Sequence, residues 1–112
     1  MKHITTEDAL RALEEAVAEK GEDYIYPEAG KTCYYALDGA PSCLVGNALH
    51  RLGYSILQLE EFRSHPICSL PADVPMEDRA LDAFIRAQEA QDAGAPWGEA
   101  LHVAREAVTP DA

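Results

Sequence analysis

Glycine sets the lengths of the helices in this chain. Gly21, Gly53 and Gly94 each follow an apolar stripe at helical spacing, and a glycine just past such a stripe is where a helix stops. The chain is thereby restricted to short helices that bury their stripes against one another. The first covers residues 6–20: Thr5 or Thr6 can cap it, Glu7 and Asp8 suit the positive end of its dipole, and Leu10, Leu13 and Val17 with Ala9 and Ala16 form its stripe. Ser42 is placed to cap a second helix over about 43–52. "SILQ", residues 55–58, has the capping-box form and opens a third, to about Phe62. Pro75 suits the first turn of a long helix, about 75–93, and Pro96 opens the last, in which Trp97, Ala100, Leu101, Ala104 and Val108 share a face.

Between the first two helices, "YIYPEAGKTCYYAL" has no helical period. Its β-branched and aromatic residues predict two short strands, about 24–26 and 32–37, with "PEAGK" as the turn; "DGAP" then breaks the chain. Two strands alone are marginal, so the hairpin must lie on helices or pair with another copy. The expected fold is α+β: one mostly helical domain over residues 1–112, with about five helices and one β-hairpin after the first. Its predicted core holds Leu10, Leu13, Val17, Val45, Leu49, Leu52, Leu81, Phe84, Trp97, Leu101 and Ala104.

The chain has 112 residues, enough for a core without disulfides or metals as staples. No apolar run approaches the roughly 20 residues of a membrane span, and the N-terminus has no apolar signal-peptide region. The expected location is the cytoplasm, where Cys33, Cys43 and Cys68 stay reduced. The net charge is −11, which disfavours direct contact with nucleic acid and suits a basic protein partner. Acids outnumber bases seven to three in residues 1–23 and eleven to four in 55–112, and they balance at two each in 24–54.

"PSCLVGNALHRLG", residues 41–53, carries the densest chemistry. On a helical wheel Val45, Ala48, Leu49 and Leu52 share one side, and Cys43, Asn47 and His50 share the other beside Gly46. A thiol in the first turn of a helix is activated by the N–H groups there, and a thiol with an imidazole and an amide is the composition of a cysteine nucleophile site. The stretch faintly resembles the "DCSG" helix of papain-like cell-wall peptidases. That motif's Asp and Ser are missing, since Ser42 precedes Cys43 and Leu44 follows it. Two turns, about 10 Å, also separate Cys43 from His50. Zinc would need Cys33, Cys43, His50, His65 and Cys68 to be gathered by the fold, at spacings that match no finger or ribbon. The bland alternative is a central helix packed on both sides, with Cys43 as a small hydrophobe. No resident cofactor or metal is implied.

The run from Tyr24 to Gly53, followed by residues 79–107, resembles a type of small protein encoded by phages and prophages of actinobacteria. The resembling blocks are the Tyr-X-Tyr strand, Cys33-Tyr34-Tyr35, Pro41 to Gly46, Leu52-Gly53 and Ala87-Gln88 to Trp97. The resemblance implies a viral accessory protein at work in a bacterial cytoplasm, where such proteins often bind and redirect a host protein. It supplies no catalytic residues.

On the long helix, Asp78, Asp82, Glu89 and Asp92 fall within about 80° of one another with Ile85 among them, a docking face for a basic protein. The leading expectation is therefore a non-enzymatic acidic protein that binds a host protein through this face or through Tyr24, Tyr26, Tyr34 and Tyr35, with a homodimer through the hairpin edge as a further expectation. Its sharper version is a nucleic-acid mimic, which needs a continuous band of carboxylates. Two alternatives stand beside it: a small-molecule binder using the hairpin tyrosines and the Cys43/Asn47/His50 face, and a cysteine-dependent hydrolase.

Overall fold

The computed structural model describes residues 3–27, 34–62, 67 and 74–108. Its elements run α1 (Thr6–Lys20), β1 (Ala36–Leu37), β2 (Ala40–Pro41), α2 (Leu44–Arg51), α3 (Ile56–Glu61), α4 (Asp78–Asp92) and α5 (Trp97–Val108). This is the expected α+β order of helix, hairpin and four helices. Among the described residues no helix is long and apolar enough to cross a membrane.

The caps explain where the helices begin. At α1, Thr5 Oγ1 accepts from the Asp8 N–H at 3.1 Å, and the Asp8 carboxylate accepts in return from the Thr5 N–H. The next N–H, on Thr6, donates across the fold to Glu77 Oε1 at 2.6 Å. At α3 the capping box between Ser55 and Gln58 forms as expected. Helix α4 starts three residues later than Pro75 suggests. The Pro75 carbonyl accepts from the Ile4 N–H at 3.0 Å, and the Glu77 N–H donates to the Ile4 carbonyl at 2.9 Å. This parallel bridge between Ile4 and Met76 holds 75–77 extended, so Asp78 is the first helical residue.

The hairpin forms after α1, but with a different turn. Ala36 pairs with Pro41 and Leu37 with Ala40. Asp38 and Gly39 lie between them with φ of 54° and 79°, the doubly left-handed geometry that Asp-Gly favours in two-residue hairpins. "DGAP" therefore makes the hairpin rather than merely ending it. The predicted first strand, 24–26, is not a strand, because its backbone is engaged elsewhere. The Tyr24 carbonyl accepts from the Trp97 N–H and the Glu22 carbonyl from the Gly98 N–H, each at 2.8 Å, which satisfies the open N-terminus of α5. Most of "PEAGK" lies outside the described residues.

Helices α4 and α5 run antiparallel about Gly94 (φ 92°), with Arg79 near the start of α4 donating to the Val108 carbonyl at the end of α5. Helix α1 packs on both of them and on α2, and α2 also touches α4. Leu13, Val17, Val45, Leu49, Phe84, Trp97, Leu101 and Ala104 are buried as predicted, while Leu10, Leu52 and Leu81 sit half-buried at the rim. Helix α2 is buried over six consecutive residues, Leu44 to Leu49.

Candidate functional site

Helix α2 is capped by Cys43, not Ser42. The Ser42 hydroxyl is taken by Tyr26 Oη at 2.6 Å, and the Cys43 sulfur accepts from the Gly46 N–H at 3.3 Å in the capping position. That thiol is fully buried. The Leu44 N–H, another open donor of the first turn, is met by Gln91 Oε1 of α4 at 2.7 Å. Gly46 is required here: a Cβ at this position would lie 2.0 Å from the Tyr35 carbonyl oxygen. The chain entering β1 thus rests directly on the helix backbone, pinned by Ser42 N–H to Tyr35 O and Cys43 N–H to Tyr34 O bonds of 3.0 and 2.9 Å.

The three chemical residues of this face part company. Cys43 points into the core. Asn47, 5% exposed, donates from Nδ2 to the Ser42 and Cys43 carbonyls at 3.1 and 3.0 Å. His50 is exposed, with Nδ1 on the Tyr54 carbonyl at 2.9 Å. No hydrogen bond joins His50 to Cys43. Cys33, His65 and Cys68 lie outside the described residues, and the described residues gather no group of three metal-ligating side chains.

Of the hairpin tyrosines, Tyr26 and Tyr35 are buried in the core rather than displayed. Tyr24 is half-buried, edge-on to Trp97 at a centroid distance of 4.7 Å, with the Lys20 ammonium 5.6 Å from its ring centre. Tyr34 is also half-buried. On α4, by contrast, Asp78, Asp82, Glu89 and Asp92 are all exposed with Ile85 half-buried among them. Glu89 pairs with Arg86 at 3.6 Å, and Asp92 Oδ1 accepts from Gln88 and Gln91 Nε2 at 3.3 and 3.1 Å.

A cleft of about 390 Å³ opens where the last turns of α1 and α2 lie side by side. Glu19, Lys20, Asn47, His50 and Arg51 line it, with Ala40 and Pro41 of β2 as its apolar wall. Arg51 bridges the two helices, paired with Glu19 and, at 3.9 Å, with Glu15. Two groups elsewhere are electrostatically perturbed. Thr6, first through its backbone N–H and then through its hydroxyl, holds the Glu77 carboxyl below its usual pKa, and burial pushes the Tyr54 phenol up.

No family model, curated protein or solved structure matches this chain. Sequence reasoning passed over Gln91 and the cleft residues Glu19, Lys20 and Arg51. Gln88 and Gln91 did leave a trace: a helical wheel puts both beside Phe84 on the apolar side of α4, and a polar residue on such a stripe has a buried partner. The cleft left none, because it joins residues far apart in the chain.

Proposed function

We propose that this protein acts without chemistry, by docking on a basic host protein through the acidic face of α4. The observation that carries this reading is the exposure of Asp78, Asp82, Glu89 and Asp92 on one side of a helix whose other side is buried. The stripe runs about 21 Å along the axis. Ile85 and Arg86 interrupt it at its middle. That interruption favours a protein partner, with an apolar contact ringed by Lys and Arg, over mimicry of an unbroken row of phosphates. The resemblance to actinobacterial phage proteins supports a bacterial cytoplasm as the setting.

Dimerisation through strand edges has less to work with than the sequence suggests, since each strand is two residues long. A second copy would rest on Leu37 and Leu57, exposed apolar side chains on the neighbouring elements β1 and α3.

The test is capture of a partner from an actinobacterial lysate at low and high salt. Asp82→Lys with Glu89→Lys should abolish capture while changing stability by no more than about 0.5 kcal/mol. Capture that survives both the double reversal and high salt overturns the reading.

A further inference from the structure

We propose that the cleft between the ends of α1 and α2 binds a small zwitterion, a free α-amino acid being the simplest. Asn47 is the starting point. Its side chain is more than nine-tenths buried, and both amide hydrogens are committed to the Ser42 and Cys43 carbonyls. Two carbonyls accept only from the nitrogen, so this network fixes which way the amide points. Among the described residues no donor reaches Oδ1, and Asn47 lines the cleft. Oδ1 is not among the enclosed polar atoms, so it is an oriented acceptor that a ligand N–H can reach from the cleft.

His50 adds a second acceptor. Its Nδ1 faces a carbonyl oxygen and must carry the proton there, so in the neutral ring Nε2 presents its lone pair. The last turns of α1 and α2, whose carbonyls form the negative ends of two helix dipoles, meet at this cleft. Those carbonyl ends attract the positive end of a ligand, beside a Glu19 carboxylate that is itself paired with Arg51. Lys20 on the same rim, with the Arg51 N–H groups not turned to Glu19 and Glu15, attracts a carboxylate. Ala40 and Pro41 give an aliphatic side chain its contact. A volume of about 390 Å³ lies at the lower end of the range for small-molecule sites. The site is separate from the α4 face and does not depend on it.

The intact protein, labelled with ¹⁵N, is titrated to about 10 mM with alanine, valine and glutamine, and in parallel with propionate and ethylamine, which each keep one end of the zwitterion. The expected result is saturable shifts for at least one amino acid, centred on the Asn47 side-chain amide, His50 and Arg51, with both controls at least tenfold weaker. Lys20→Ala with Arg51→Ala should weaken that binding at least tenfold while the spectrum stays dispersed. The proposal is overturned by no saturable shift with any of the three, by propionate or ethylamine binding as well as the amino acid, or by undiminished binding in the double variant.

Discussion

Gly46→Ala puts the packing of the Cys43 face to the sharpest test. The new methyl would lie 2.0 Å from the Tyr35 carbonyl oxygen, 2.7 Å from its carbonyl carbon and 2.8 Å from its Cα. These are backbone atoms, so no rotamer change relieves the clash. To restore an ordinary contact of 3.4 Å, the chain entering β1 must retreat by about 1.4 Å. The Ser42 N–H bond to that same oxygen, 3.0 Å long, and its neighbour from Cys43 to Tyr34 would stretch beyond useful length. Losing both costs about 2 kcal/mol, and overpacking adds about 1–3 kcal/mol. Alanine's helix propensity returns about 1 kcal/mol. The net expectation is a loss of about 2–4 kcal/mol, a large share of the stability of any domain this size. In a thermal melt followed by circular dichroism this is a fall of roughly 8–16 °C. Urea unfolding should show a lower midpoint at unchanged slope. An alanine variant as stable as the parent, or more stable by its helix propensity, would show that the strand does not rest on this helix.

Two further perturbations address the polar contacts between elements. Gln91→Leu keeps the volume but leaves the buried Leu44 N–H without its acceptor, and urea titration should show a loss of about 1–3 kcal/mol. Glu77 has its pKa lowered on folding by the Thr6 N–H and hydroxyl, so its contribution is complete above the usual carboxyl value of 4.5 and is lost as pH falls through the lower folded value. Glu77→Gln should therefore flatten the acid limb of a stability-versus-pH curve, and an unchanged limb would remove Glu77 from that role.

Much of the architecture is local physics and was legible in the residues. Helix α1 and the α3 capping box follow from short-range hydrogen bonds between Thr5 and Asp8 and between Ser55 and Gln58. The glycines Gly21, Gly53 and Gly94 end stripes because they adopt positive φ at no steric cost. The acidic face of α4 follows from periodicity alone. Hairpin placement and helix starts depended on which backbone groups found distant partners. Residues 24–26 are aromatic and β-branched enough for a strand, yet the Tyr24 carbonyl serves the first turn of α5. Ser42 has the chemistry of a cap, yet its hydroxyl bonds Tyr26 and leaves the cap to Cys43.

Composition and periodicity are properties of neighbours along the chain, so they were enough to establish a small, acidic, mostly helical object with one hairpin. Which side chains share a cleft is a property of neighbours in space. The enclosure of Cys43, the capping of α2 by Gln91 and the meeting of Asn47 with Lys20 and Arg51 came from the packing of helices. Burial favoured partners for the enclosed Leu44 N–H and the Asn47 amide nitrogen, wherever in the chain those partners lay.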